Sequence, residues 1–204
     1  MAGTGTSTPV SDTGDHPLSS SKRIIRDPKA QLDFKLRPAE HKDAEAIAVM
    51  GAYTWTTTFG YSISKADLDA FINDSYTTEA ILRELNDQAV TLIVAEAPSG
   101  TVAGFVQLRR DSTEPCVQDK PKPVELQRIY IHPDFHGYGL ARTLVSEIEK
   151  IAREEKYETL WLGVWEENFK GHRVYEKLGF VHCGWHDFKM GECVQRDWIM
   201  FKGL

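Results

Sequence analysis

The segment Glu125-Leu-Gln-Arg-Ile-Tyr-Ile-His-Pro-Asp-Phe-His-Gly-Tyr-Gly-Leu-Ala-Arg-Thr-Leu144 decides the fold. Ile129 and Ile131 alternate with Arg128 and Tyr130, which is the two-residue period of a β-strand. A His-Pro-Asp tripeptide then ends the strand, and two glycines precede a long amphipathic pattern. The segment therefore predicts a strand, a short glycine-containing loop and a helix.

The glycine loop has the properties of an anion site. Gly137 and Gly139 remove side chains where the helix is predicted to begin. The first amides of a helix have no acceptor inside it, and the positive end of the helix dipole lies there, so such a helix start binds phosphate groups. A dinucleotide-binding loop would need a third glycine at Arg142, and the string G-x-x-x-x-G-K-[ST] does not occur. A glycine-capped helix start without a ligand is the alternative interpretation.

The loop resembles a known family signature. His136-Gly-Tyr-Gly-Leu-Ala141 is similar to the Q/R-x-x-G-x-G/A loop of the GCN5-related N-acetyltransferases, with His136 in place of Gln or Arg. In that family the loop amides hold the pyrophosphate of acetyl-coenzyme A. The resemblance therefore implies cofactor contacts from His136, Gly137, Tyr138, Gly139, Leu140, Ala141 and Arg142. A solvated helix charge is the other interpretation of Arg142.

A second segment extends the resemblance over residues 34–204. Trp161-Leu-Gly-Val-Trp-Glu-Glu-Asn-Phe-Lys-Gly-His-Arg-Val-Tyr-Glu-Lys-Leu-Gly-Phe180 resembles the family's strand, Asn, and helix ending in Tyr-x-K-x-G-F. With Phe188-Lys-Met-Gly191 and Asp197-Trp-Ile-Met200 it is most similar to the bacterial polyamine N-acetyltransferase branch. A branch resemblance defines the substrate poorly.

The order of the predicted elements favours an α/β fold around a central, mixed and mostly antiparallel sheet. The family resemblance implies about seven strands and four to five helices. Helices are expected at residues 39–58, 64–73, 77–85, 137–156 and 168–178. Strands are expected at residues 32–38, 89–95, 102–108, 125–131, 159–164, 180–189 and 194–201.

The resemblance implies an acetyl-coenzyme A-dependent N-acetyltransferase. The acetyl group would pass to a primary amine of a small molecule, such as a polyamine, by direct attack in a ternary complex. Amino acids, arylalkylamines and protein amines remain alternative acceptors, and a non-catalytic coenzyme A-binding regulator is the alternative from another class.

Two residues are candidate proton-transfer groups. Tyr175 matches the family tyrosine near the cofactor sulfur, and a phenol can donate a proton to a departing thiolate. Glu125 lies where the family often places its base, and its carboxylate can take the proton of an amine that is mostly charged at neutral pH. A packed tyrosine and an exposed strand acid are the structural alternatives.

Further candidates follow from the resemblance. The backbone of Ile129, Tyr130 and Ile131 would pair with the pantetheine arm as an added strand would. Asn168 would cap its helix and contact that arm. The acceptor pocket would be built from aromatic residues of the first helices, where core packing is the competing interpretation: Tyr53, Trp55, Phe59 and Tyr76.

Composition limits the remaining possibilities. The chain has 204 residues, a net charge of −6 and three cysteines. The acidic balance argues against nucleic acid as a partner, and no apolar run suits a membrane span. The cysteines and histidines form no metal-site pattern, and the cysteines no disulfide framework. We expect a cytoplasmic enzyme with a tail at residues 1–30 and one domain at 31–204, and a homodimer is left open.

Overall fold

One sheet of seven strands organises the chain. The computed structural model describes residues 32–204, so the predicted tail lies outside the described residues. The strands are β1 Lys35–Pro38, β2 Val90–Glu96, β3 Val102–Arg109, β4 Pro123–Ile131, β5 Thr159–Trp165, β6 Val181–Met190 and β7 Cys193–Gly203. Their order in the sheet is β1-β2-β3-β4-β5-β7-β6. The prediction of an α/β fold with a seven-stranded, mostly antiparallel sheet is confirmed.

Five α-helices within residues 32–204 accompany the sheet, and three of them begin at a side-chain cap. The helices are α1 Ala44–Phe59, α2 Lys65–Ser75, α3 Thr78–Leu85, α4 Leu140–Glu154 and α5 Phe169–Lys177. Ser64 accepts a hydrogen bond from the Asp67 amide, and Thr77 accepts one from the Ala80 amide. Each cap satisfies a donor that the first turn leaves free.

The first helix starts later than the sequence predicts. A 3₁₀ turn at His41–Asp43 precedes α1, so the predicted start at residue 39 is wrong by five positions. The Asp43 carboxylate accepts from the Glu40 amide at 2.8 Å and pairs with the Arg37 guanidinium at 2.6 Å. The contacts of Asp43 with Glu40 and Arg37 hold the chain in a capping box before α1. The periodicity of the sequence alone does not reveal this capping box.

The sheet opens between its two parallel strands. Strands β4 and β5 are the parallel neighbours, and they pair at Pro123–Thr159, Val124–Leu160 and Glu125–Trp161. Among the described residues no β4–β5 pair follows Glu125, although β4 continues to Ile131. The second half of β4 therefore faces an opening in the middle of the sheet.

Helix α4 anchors the glycine loop to the sheet. Its buried positions recur at the spacing of one helix face, and they pack into the larger core cluster together with Leu160 and Phe180. These positions are Leu140, Leu144, Val145, Ile148 and Ala152. On the opposite side of the sheet, α1 and α3 contribute Ile47 and Ile81 to a second cluster. Because α4 is fixed along its length, its first turn has a defined position beside β4.

We expect Gly51→Ala to destabilise the fold. Gly51 lies in α1 against the ring of Tyr76, and a Cβ at this position would overlap ring atoms Cδ1 and Cε1. Forcing extra volume into a packed core costs about 1–3 kcal/mol. Denaturant unfolding measures this loss. Gly203→Ala is the control, because a Cβ there meets no atom within 4 Å. Equal stability of the two variants would contradict the packing described here.

Candidate active site

Two adjoining cavities lie at the opening between β4 and β5. The larger has a volume of about 720 Å³ and is bordered by the glycine loop and the first turn of α4. The smaller, about 370 Å³, is bordered by α1, α2, β6 and β7. Six residues line both cavities: Thr54, Thr58, Ile129, Tyr130, Asn168 and Tyr175. A ligand in one cavity would therefore meet a ligand in the other at these residues.

The glycine loop presents amides to the larger cavity. Gly137 and Gly139 have φ values of 87° and 77°, in the left-handed region that side chains other than glycine disfavour. Within residues 32–204 the amides of Gly137, Gly139, Leu140 and Ala141 donate to no backbone carbonyl. All four of these residues line the larger cavity. This arrangement forms an anion cradle at the start of α4.

His136 and Tyr138 take different positions around the cradle. Nε2 of His136 is 2.9 Å from the carbonyl oxygen of Ile131, so its ring ties the loop back to the end of β4. The ring of Tyr138 lies 6.3 Å from that of Phe34 and packs against the larger core cluster. The Tyr138 side chain is not among those that line either cavity. Any ligand contact from Tyr138 must therefore come from its backbone.

The free half of β4 forms the shared wall. Ile129 and Tyr130 line both cavities, and Ile131 lines the larger one. The Tyr130 hydroxyl accepts from Nε1 of Trp55 at 2.9 Å and lies 2.8 Å from the hydroxyl of Tyr76. Burial raises the pKa of Tyr130, so this hydroxyl stays protonated within the network.

Tyr175 and Asn168 complete the shared wall from α5. Tyr175 is half-buried, and its ring meets that of Phe180 edge to face at 5.8 Å. Burial raises the pKa of Tyr175 well above its ordinary value, which keeps the phenol protonated. Oδ1 of Asn168 accepts from the Gly171 amide at 2.9 Å. The predicted helix cap at Asn168 is confirmed.

Glu125 lies at the base of the opening. It is the last β4 residue to pair with β5, and it lines the smaller cavity. Burial raises the pKa of Glu125, while Ser112 and the Arg109 charge act in the opposite direction. A carboxylate with a raised pKa is a stronger base than an exposed one.

Three of the four predicted pocket aromatics line the smaller cavity. These are Trp55, Phe59 and Tyr76. Tyr53 lines the larger cavity instead, and its place in the acceptor pocket stays a prediction. Tyr53 lies two residues from Trp55, about 200° around α1, so the two side chains leave the helix in different directions. Phe71, Trp165 and Phe188 also line the smaller cavity, and the sequence did not single them out.

An imidazole between two acids also belongs to this cavity. His186 and Asp197 line it from β6 and β7, where the sheet register places them opposite each other. Nδ1 of His186 is 2.6 Å from Oε1 of Glu114, and Nε2 is 3.8 Å from Oδ2 of Asp197. The second distance is too long for a hydrogen bond. Asp197 therefore acts on the imidazole through its charge.

A known protein family matches the segment that carries this site. The family model described as "Acetyltransferase (GNAT) family" matches residues 52–180, which run from α1 through β4, the glycine loop and α5. The chain belongs to the GNAT acetyltransferase family. It is an N-acetyltransferase, and acetyl-coenzyme A is its acetyl donor.

Relatives of this GNAT enzyme cover most of its length. It is 28% identical over 170 residues to an "uncharacterized N-acetyltransferase in pepI 3'region" of Lactobacillus delbrueckii subsp. lactis, covering 83% of this chain and 97% of the relative. It is 24% identical to the spermidine N(1)-acetyltransferase of Thermoplasma acidophilum, covering 73% and 89%. The crystal structure of the PaiA N-acetyltransferase of T. acidophilum with coenzyme A has the same fold. The two structures superpose with a TM-score of 0.68 at 24% identity, and the match covers 84% of this chain and 99% of the PaiA chain.

Two features are absent from the described residues: a helix that could span a membrane and a cluster of metal ligands. None of the helices within residues 32–204 has the length and apolar content that a bilayer crossing requires. No group of three or more His, Cys, Asp or Glu side chains in that part of the chain is arranged to hold a metal ion.

The ring of His186 is expected to titrate near pH 9. The carboxylates of Asp197 and Glu114 raise its pKa from 6.5 to about 9, against the effect of burial. The imidazolium therefore stabilises the folded state fully below pH 6.5, and this contribution is lost as pH rises to 9. NMR of the ring measures the titration. In Glu114→Gln the pKa should fall towards 6.5, and a wild-type titration near 6.5 would contradict the arrangement.

Proposed function

We propose that this enzyme acetylates a primary amino group of a polyamine. The observation that carries the proposal is the lining of the smaller cavity, where Glu125 and Asp197 lie among aromatic side chains. Carboxylates attract an ammonium group, and aromatic faces attract cations as well. The rings are Trp55, Phe59, Phe71, Tyr76, Trp165 and Phe188. The similarity to a spermidine N(1)-acetyltransferase supports the same substrate class.

The balance of charge in the cavity favours a substrate with several positive charges. Arg128 lines the cavity, but its guanidinium pairs with Glu84 at 2.7 Å. His186 pairs with Glu114 in the same way. Glu125 and Asp197 then remain as the acidic groups that an incoming ammonium can neutralise. An amino acid would bring a carboxylate into this acidic cavity, at an electrostatic cost.

The larger cavity is the proposed place of acetyl-coenzyme A. The pyrophosphate would lie on the amides of Gly137, Gly139 and Ala141, with Arg142 as a charged partner. The pantetheine arm would run along Ile129–Ile131, whose backbone has no strand partner on the β5 side among the described residues. Lys170 also lines this cavity and adds a second positive charge at its rim.

The proposed reaction needs three proton transfers. Glu125, directly or through water, takes a proton from the substrate ammonium, and the neutral nitrogen attacks the thioester carbonyl carbon. A β4 amide near Tyr130 would stabilise the oxyanion that forms. When the carbon–sulfur bond breaks, the thiolate takes the proton of the Tyr175 hydroxyl, which lies at the junction of the two cavities. The nitrogen, which still carries an extra proton after its attack, then gives that proton to the Tyr175 phenolate and restores the phenol. The amine and the thioester react directly, in one ternary complex.

A substrate panel tests the proposal. Release of free thiol from acetyl-coenzyme A is measured with spermidine, putrescine, amino acids and arylalkylamines, and mass spectrometry identifies the acetylated product. We expect kcat/KM for spermidine to exceed that for the amino acids by at least about 10-fold, which corresponds to about 1.4 kcal/mol. A higher value with an amino acid or an arylalkylamine would overturn the polyamine assignment. Thermal stabilisation by coenzyme A without thiol release from any amine would indicate a binding protein.

The cytoplasmic location and the single domain over residues 31–204 stay predictions, and a homodimer stays an open possibility. Size-exclusion chromatography with light scattering tests the last of these. A mass of about 23.1 kDa would identify a monomer.

A further inference from the structure

Two cysteines that are distant in the sequence meet between the β3–β4 connection and strand β6. Sγ of Cys116 lies 2.9 Å from Sγ of Cys183, closer than two unbonded sulfur atoms ordinarily pack. Cys116 belongs to a 3₁₀ turn at Pro115–Val117 in the β3–β4 connection, and Cys183 lies on β6. Both are half-buried against a small cluster that contains Val117, Trp161 and Ile199.

The local backbone explains why these sulfur atoms meet. The β6–β7 register shifts between His182 and Gly184, so Cys183 lies in a β-bulge and has no partner on β7. A bulge redirects a side chain away from its regular position in the sheet. Gly184 then leaves room for the other thiol, because a Cβ there would lie 2.9 Å from both Cβ and Sγ of Cys116. The bulge and Gly184 together allow the two sulfur atoms to lie close to each other.

We propose that Cys116 and Cys183 form an oxidisable thiol pair that a peroxide or a low-molecular-weight disulfide converts into an intramolecular disulfide. The bond would tie the β3–β4 connection to the sheet-edge strand β6. Glu114 precedes Cys116 by two residues, and its partner His186 follows Cys183 by three. The cross-link would therefore fix both of the segments that carry the Glu114–His186 pair, and His186 lines the smaller cavity. This inference does not depend on the identity of the acceptor.

The chemistry assigns a separate role to each thiol. Burial raises the pKa of Cys183 to about 12, so this sulfur remains a thiol at neutral pH, and the reaction is written with Cys116 as the sulfur that meets the oxidant first. With hydrogen peroxide, the Cys116 sulfur takes one oxygen as a sulfenic acid and water leaves. The sulfur of Cys183 then attacks that of Cys116, and a second water departs. The two thiols thus lose two protons and two electrons, and one peroxide becomes two waters.

Thiol counting on the full chain tests the pair. The chain contains three cysteines, and after treatment with hydrogen peroxide we expect one free thiol and a mass lower by two hydrogen atoms. Peptide mapping without reductant should place the bond between residues 116 and 183. A cross-link over this separation should raise the melting temperature by about 10 °C, and a reductant should reverse the rise.

Four variants provide the controls. Cys193→Ser should still form the cross-link, whereas Cys116→Ser and Cys183→Ser should keep their melting temperature after peroxide. Gly184→Ala should slow the reaction, because its methyl group occupies the position that Cys116 approaches. Circular dichroism confirms that each variant is folded. Three free thiols after treatment, a bond that includes Cys193, or cross-linking only between chains would overturn the proposal.

Discussion

Glu125→Gln is expected to lower kcat by roughly 10²–10⁴-fold, the usual loss when a general base is removed. The substitution keeps the shape of the side chain at the base of the β4–β5 opening and removes the group that accepts the proton. Because burial raises the pKa of Glu125, the wild-type rate should rise as this carboxylate loses its proton. In the variant that limb of the pH profile should disappear, and only the titration of the amine should remain. Initial rates of thiol release at several pH values measure both effects.

The matched control for this substitution is Glu167→Gln. Glu167 is exposed and lines neither cavity, so the same chemical change should leave kcat unaltered. Coenzyme A affinity should stay unchanged in both variants. A Glu125→Gln enzyme that works within about threefold of wild type would exclude Glu125 as the base.

Tyr175→Phe should also lower kcat by roughly 10²–10⁴-fold, with little change in the Kd for coenzyme A. The phenol lies where the two cavities meet, and its raised pKa keeps the proton available for the departing thiolate. Phenylalanine retains the contact with Phe180 but has no proton to donate. Single-turnover kinetics and calorimetry separate the chemical step from binding.

Tyr157→Phe is the corresponding control. Tyr157 packs against the core next to α4 and lines neither cavity, so loss of its hydroxyl should leave kcat unchanged. If Tyr175→Phe weakened coenzyme A binding and stability but kept kcat, Tyr175 would be a packing residue. Its role as the acid would then be refuted.

Local patterns in the sequence predicted the parts of the site that lie close together along the chain. Gly137 and Gly139 precede a helix whose buried residues recur at a regular spacing, so both the loop and α4 could be predicted. Asn168 could be predicted as a cap for the same reason, since its acceptor group serves an amide three residues later.

Residues that the sheet register brings together could not be predicted in this way. His186 and Asp197 face each other because β6 pairs with β7, and Glu114 reaches them from the distant β3–β4 connection. Which cavity Tyr53 lines could not be predicted either, because its direction depends on how α1 is rotated against the sheet. That rotation is decided by long-range packing, and the weak amphipathic pattern of α1 does not specify it.

The meeting of the cysteines at positions 116 and 183 depends on a β-bulge in β6 and on Gly184. A bulge inserts one extra residue in a strand and redirects its side chain, and this depends on how the strand pairs with its neighbour. The sequence pattern therefore indicated no disulfide framework, and the approach of these two cysteines could not be predicted from it.

The central claim is that main-chain donors at the start of α4 and along the free half of β4 hold the acetyl donor at the opening of the sheet. An NMR titration of the backbone amides with coenzyme A tests this most directly. The largest shifts are expected at residues 137–142 and 129–131, with little change along β6. Shifts confined to other parts of the chain, or no change at saturating coenzyme A, would contradict the account.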